Sequence, residues 1–157
     1  MDTNAAHTDM LQFVTFNLGK QKYAIDILKV QEINNLKEIT PIPNAQAYLE
    51  GAINLRGKVI PVLNLRRRLH LEDQALTDLS KIVIVDLNGL VLGMIVDSVS
   101  DVLRLPSETV EPAPPVVTGK SRSDFVLGIA KLSDMLVIIL DMDKMIDRTD
   151  LQRGVVR

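Results

Sequence analysis

The chain has no cysteine and no tryptophan, only two histidines, and aromatic residues at just 3% of its 157 positions. Without cysteine it can form no disulfide, no thiolate metal site and no cysteine nucleophile, which fits a reducing compartment. His7 falls in a polar N-terminal stretch and His70 in a polar connector, so both read as solvated loop residues rather than catalytic bases. An excess of one charge is missing too: 18 Lys and Arg against 20 Asp and Glu leave a net charge of −2. General affinity for nucleic acid rests on cationic neutralisation of phosphates, and this balance argues against it. No apolar run approaches the ~20 residues that cross a bilayer, and residues 1–8 are too polar for a secretory signal. The expectation is a soluble cytoplasmic protein with no direct membrane insertion.

What the chain does have is aliphatic content. Hydrophobic residues make up 46% of it, mostly Val, Ile and Leu, and such a composition favours strands. The organising stretch is Leu-Glu-Gly-Ala-Ile-Asn-Leu-Arg-Gly-Lys-Val-Ile-Pro-Val-Leu-Asn-Leu (49–65). Two apolar runs flank Arg56-Gly57, the length of a two-residue hairpin turn, in which Gly57 accepts positive φ without a Cβ clash. Pro61 has no amide proton, which places its strand at a sheet edge or beside a bulge. Residues 51–69 contain no acid but include Arg56, Lys58, Arg66, Arg67 and Arg68. A near-copy begins at Gly128, offset by 128 − 51 = 77, and has Ser133-Asp134 where the first has Arg56-Gly57. One scaffold element is therefore written twice, and the fold does not require the arginine found in only one copy.

The duplication extends further. Ala24-Ile25-Asp26-Ile27 corresponds to Gly93-Met94-Ile95-Val96, and Val30-Gln31-Glu32-Ile33 to Val99-Ser100-Asp101-Val102, at an offset of 99 − 30 = 69. Strands are expected over residues 11–18, 23–27, 81–87 and 90–96 and in both hairpins, with Asn88-Gly89 the strongest turn signal. Ile27, Val30 and Ile33 recur every three residues, the spacing of one side of a helical turn. A helical turn capped by Asn44 is expected over 45–50, a helix over 141–151, and a long proline-rich loop over 106–124. Two related halves of five short strands suggest a mainly β fold of paired small barrels, since closure hides sheet edges. Either half alone would be marginal, so a shared apolar seam is expected. The expected single domain covers 10–147 (approximate halves 10–72 and 80–147), with a flexible N-terminus at 1–9 and a C-terminal tail at 148–157.

Catalytic patterns are scarce. There is no phosphate-binding loop and no nucleophile elbow. Asp141-Met142-Asp143 opens like a calcium loop but lacks the glycine and glutamate that complete one. Helix capping accounts for it better, and no metal or cofactor is expected. Arg66-Arg67-Arg68 is the one basic run; without aromatic platforms, a solvated strand end explains it better than RNA contact. Glu32 and Arg56 are the notable charges, because Glu32 has a matching Asp101 while Arg56 has no match. The two are expected to meet and to hold the hairpin tip beside the Val30 segment. Ile27, Val30, Ile33, Val99 and Val102 lie around them, one or two exposed enough to receive an apolar partner.

Three stretches together resemble the CheW family of chemotaxis coupling proteins: Tyr-Ala-Ile-Asp-Ile-Leu-Lys-Val-Gln-Glu-Ile (23–33), residues 49–66, and Val-Asp-Ser-Val-Ser-Asp-Val-Leu (96–103). The resemblance runs from about Gln12 to Ile146. It implies two five-stranded SH3-like β-barrel subdomains sharing a hydrophobic seam, followed by a short C-terminal helix. It also implies a non-catalytic adaptor between the cytoplasmic hairpin tip of methyl-accepting chemoreceptors and the regulatory domain of the CheA histidine kinase. Such an adaptor is cytoplasmic, works within membrane-anchored receptor arrays, and has room for mixed rings with that regulatory domain. Position by position, the resemblance puts receptor binding on Val30, Glu32, Arg56 and Val99, and kinase binding on Gly51 and Arg56. Gly57 and Gly89 read as structural turn residues. A CheA regulatory domain or the coupling half of CheV would share these motifs. Met1 and the lack of phosphotransfer, ATP-binding or receiver segments favour a free-standing coupler. From another class, an RNA-binding barrel using Arg66 to Arg68 would show steep salt dependence.

Overall fold

Almost every apolar run becomes a strand, as aliphatic and β-branched side chains on a pleated surface favour. The computed structural model describes residues 9–43, 47–112 and 125–146. In order these form β1 (Met10–Leu18), β2 (Gln21–Asp26), a 3-10 turn (Ile27–Lys29), β3 (Val30–Asn35), β4 (Leu49–Leu55), β5 (Lys58–Asn64) and α1 (Leu65–Arg68). There follow β6 (Lys81–Leu87), β7 (Leu90–Val96), β8 (Ser98–Pro106), β9 (Val110–Glu111), β10 (Val126–Leu132), β11 (Met135–Leu140) and α2 (Met142–Met145).

Two sheets result. One, the terminal sheet, has the order β8-β1-β2-β11-β10-β9; the other, the middle sheet, has β3-β6-β7-β5-β4. A mainly β protein of two subdomains is what the duplication foretells, but the halves 10–72 and 80–147 do not each build their own sheet. Each sheet takes the first two strands of one repeat and the later strands of the other, joined by parallel pairs β2–β11 and β5–β7. The exchange happens at short links: three residues separate β2 from β3, and Asp97 alone separates β7 from β8, and at each the chain passes from one sheet into the other.

Burial follows the pleat. Ile53, Ile60, Val62, Ile82, Ile84 and Ile95 fill a core on one face of the middle sheet. Phe13, Ala24, Leu105, Ala130, Val137 and Ile139 fill the equivalent core of the terminal sheet. The alternate residues of the same strands (Val14, Phe16 and Ile25 from one sheet; Val83, Val85, Leu92, Met94 and Val96 from the other) meet in a single larger cluster, the expected seam.

Several local expectations change. Of the two places expected for Pro61, an edge or a bulge, the structure has the second, since β5 is an interior strand. Pro61 sits beside the β4–β5 register shift and just before Val62, where pairing with β7 begins. Leu49 and Glu50 belong to β4 rather than to a helical turn, and Asn44 to Gln46 lie outside the described residues. Asp141 stands at the start of α2 but makes no side-chain capping bond, and the helix is one turn over Met142–Met145. The expected continuation beyond residue 146 lies outside the described residues, as do residues 113–124 of the proline-rich loop.

Candidate interaction surface

The β4–β5 hairpin turns at Arg56-Gly57 with φ of 51° and 86°. Positive φ at both centres is the type I′ pattern, whose twist matches that of the flanking strands. Asn54 Oδ1 accepts a hydrogen bond from the Gly57 amide at 2.8 Å. The β6–β7 hairpin repeats the device: Asn88 and Gly89 have φ of 56° and 94°, and Asp86 Oδ1 accepts from the Gly89 amide at 2.8 Å. An L-residue at the first centre is least costly when it is Asn, so an arginine there runs against turn preference. Ser133, at the matching place in the β10–β11 hairpin, has φ of 50°. The first turn position thus adopts the same φ with or without the arginine.

Arg56 reaches across to β3. Its Nη1 donates to Glu32 Oε1 at 3.3 Å, and its Nη2 donates to Oε2 in a closer contact. The expected pair is therefore formed, in a two-pronged geometry. The hydrogen bond from Arg56 holds the Glu32 carboxyl below its usual range despite some desolvation, and Glu32 in turn raises Arg56. The Arg56 side chain remains 67% exposed. An ion pair so open contributes little to folding, but it fixes the direction of a guanidinium that keeps spare donors for a partner. Beside it lies a shallow depression of ≈ 170 Å³ lined by Gln31, Leu55, Lys58, Ile60 and Val91.

β3 and β8 are edge strands at matching places in the two sheets, and each has a register shift at the same point of the repeat. An extra residue at a bulge resets the two-residue alternation. Val30 and Ile33 consequently share a side with their partners Val85 and Val83, and Val99 and Val102 with Phe16 and Val14. All four partners belong to the seam cluster. Val30 and Val99 pack half-buried against that cluster, while Ile33 and Val102 are 40% and 52% exposed. The three-residue period at Ile27, Val30 and Ile33 combines a helical turn, of 3-10 type over Ile27–Lys29, with the bulge that follows it in β3. The structure thus puts Val30 and Val99 on the two margins of one seam, with the Glu32–Arg56 pair at the side of the middle sheet.

Gly51 is buried within β4. A Cβ added to it would lie 2.3 Å from the Thr40 carbonyl oxygen and 2.9 Å from Ile39 Cγ2. Residues 39–40 cross directly over it, tied by Thr40 N to Ala52 O at 2.8 Å and Ala52 N to Thr40 O at 2.9 Å. Gly128 plays the same part under β9, where a Cβ would meet Val110 Cγ1 at 2.6 Å.

The arginine run is not a solvated strand end. Asn64 Oδ1 accepts from the Arg67 amide at 3.1 Å and starts α1. Arg66 pairs with Asp97 at 2.5 Å and donates to the Glu72 carbonyl at 2.9 Å. Burial pushes the Asp97 carboxyl up, but Arg66 and the Gly19 amide outweigh it and hold the group below its usual range. Arg67 pairs with Glu50 at 3.3 Å and Asp73 at 3.2 Å. Arg68 lies between two rings, its guanidinium carbon 4.8 Å from the Tyr48 centroid and 4.2 Å from that of Phe125, and donates to the Met145 carbonyl. Sequence reasoning missed these roles because Asp97 and Met145 are 31 and 77 residues away. His70 is exposed at φ 62°, ending α1, and His7 lies outside the described residues. Among the described residues no group of His, Asp and Glu is placed to hold a metal ion, and no helix is long and apolar enough to cross a membrane.

Comparison with known proteins places this arrangement. Residues 12–150 match the family model described as the CheW-like domain. The chain is similar to the chemotaxis protein CheW of Treponema pallidum (strain Nichols), 35% identical over 153 residues that cover 95% of this chain and 89% of the relative. Similarity to the chemotaxis protein CheW of Thermotoga maritima is 28% over 155 residues, 99% of this chain and 100% of the relative. Among solved structures, the scaffolding protein TtCheW from Thermoanaerobacter tengcongensis superposes with a TM-score of 0.80 at 36% identity, covering 90% of each chain.

Proposed function

The chain belongs to the CheW-like family, and we propose that within it this protein is a non-catalytic adaptor coupling methyl-accepting chemoreceptors to the CheA histidine kinase. The observation that carries the reading is the pairing of an apolar seam margin with an oriented, exposed charge. Val30 and Val99, extended by Ile33 and Val102, offer apolar contact to the helical hairpin tip of a receptor. Glu32 and Arg56 supply the polar rim that sets its register. Complexes of this kind draw most of their energy from a few central apolar anchors and their orientation from rim charges.

Arg56, at the hairpin tip, also faces the regulatory domain of the kinase. Gly51 has no surface of its own and acts on that contact through the crossing of residues 39–40 that it permits. The protein works in the cytoplasm against membrane-anchored receptor arrays, as one domain over residues 10–147, and joins the kinase regulatory domain in mixed rings. The three arginines that would serve an RNA-binding reading are each engaged within the chain.

The test is a titration of the full chain against a receptor hairpin fragment, a kinase regulatory domain and a single-stranded RNA. Saturable binding to the first two, with RNA inert at moderate salt, is expected. Salt-steep RNA binding, with neither protein bound, would reverse the assignment.

A further inference from the structure

The two repeats hold their bulges differently, and the difference centres on one buried hydroxyl. In the middle sheet the register resumes at Glu32 opposite Ile84. The equivalent of that pair in the terminal sheet is Asp101 opposite Thr15, since Val30–Val85 corresponds to Val99–Phe16 and Ile33–Val83 to Val102–Val14. Yet Thr15 and Asp101 are not a ladder pair. Instead Thr15 Oγ1 donates to the Asp101 carbonyl at 2.7 Å and accepts from the Asp101 amide at 3.0 Å. Thr15 is 3% exposed, one of two buried polar residues among those described.

A single side chain therefore meets both backbone groups of the bulged residue. Both hydrogen bonds are partly buried although Asp101 itself is exposed, and peptide groups left unmet there are costly, so this hydroxyl decides where β8 can bulge. The bulge in turn decides which way the neighbouring residues face. Val99 and Val102 share the seam side only because an extra residue lies between them.

We infer that Thr15 is a positioning residue for the receptor-facing surface, setting the presentation of Val99 and Val102 through the backbone of Asp101. The inference rests on the adaptor reading above but adds to it a residue that touches no partner.

The test uses the full chain with two substitutions. Thr15→Val keeps shape and removes both hydrogen bonds, and Thr15→Ser keeps the hydroxyl. Thr15→Val is expected to weaken binding of the receptor hairpin fragment about tenfold, the effect of losing one good interface anchor. Binding of the kinase regulatory domain should stay within about twofold of wild type, since the contact assigned to it lies at Arg56. Thr15→Ser should match wild type for both partners. Equal receptor-fragment binding by wild type and a folded Thr15→Val would overturn the inference. If Thr15→Val does not fold, hydrogen exchange of the wild-type chain decides: a protected Asp101 amide, together with normal binding by Thr15→Ser, supports the pivot, and free exchange refutes it. Failure of the wild-type chain to bind the receptor fragment at all would remove the adaptor reading and this inference together.

Discussion

Replacing Gly51 with alanine should be among the most damaging single-methyl changes in this protein. The added Cβ would sit 2.3 Å from the Thr40 carbonyl oxygen, about 1 Å short of an ordinary carbon–oxygen contact. A flexible side chain could swing away, but this oxygen is backbone and already bonded. Moving it means releasing the two Thr40–Ala52 hydrogen bonds of 2.8 and 2.9 Å. At about 1 kcal/mol net for each bond, plus about 1–3 kcal/mol for overpacking, the cost is roughly 3–5 kcal/mol. For a chain of this length that corresponds to a melting temperature lower by about 6–20 °C. Gly128→Ala should cost less, because its Cβ would meet a valine methyl at 2.6 Å and backbone, the Glu111 carbonyl oxygen, only at 2.9 Å. Gly57→Ala should cost only about 1 kcal/mol, for an L-residue at positive φ, since nothing lies within 4 Å of its Cβ. Thermal and urea unfolding of the three variants measures the order directly. If Gly51→Ala melts within a degree or two of wild type, or Gly57→Ala proves the worst of the three, the structural account of Gly51 is wrong.

Arg68→Met keeps the apolar stem but removes the cation from beside Tyr48 and Phe125; at about 0.5–2 kcal/mol for each ring contact, urea unfolding should show a loss of about 1–4 kcal/mol. Arg56→Asn should melt at or above the wild-type temperature, because Asn suits the first position of a type I′ turn, while calorimetric titration shows weaker binding to both proposed partners. The Glu32 carboxyl is depressed by Arg56, so the pair is fully formed above the ordinary glutamate range near ~4.3 and is lost as pH falls through the lowered folded value. Receptor-fragment binding by wild type should therefore vary little between about pH 8 and pH 5 and decline only in more acid solution. A decline already complete at about pH 5 would contradict that assignment.

What the sequence made legible were features set by neighbours in the chain. β6, β7 and β11 run over the expected residues, because apolar strands bounded by Asn88-Gly89 or Ser133-Asp134 leave little freedom. The Glu32–Arg56 pair was legible because the duplicate lacks the arginine, which marks it as dispensable to the fold. The exchange of strands between the sheets was not. Parallel pairs such as Ala24 with Ile139 join residues at opposite ends of the chain, and a duplicated sequence offers nearly identical partners within and between its halves. The arginine run looked solvated for a similar reason, since Phe125 and Met145 come to Arg68 only through the fold. Thr15 left one faint trace: it is the polar member of a repeat pair whose other member is Ile84.

The proposed coupling of receptor to kinase runs through the rim formed by Arg56 and the seam valines. The most direct measurement is the rate of kinase autophosphorylation on vesicles carrying receptor, with the wild-type chain, with Arg56→Asn, and with neither. Stimulation that requires the wild-type chain and is largely lost with the folded Arg56→Asn variant is the predicted result. Receptor control of the kinase that is unchanged when the chain is left out, or fully supported by Arg56→Asn, would contradict it.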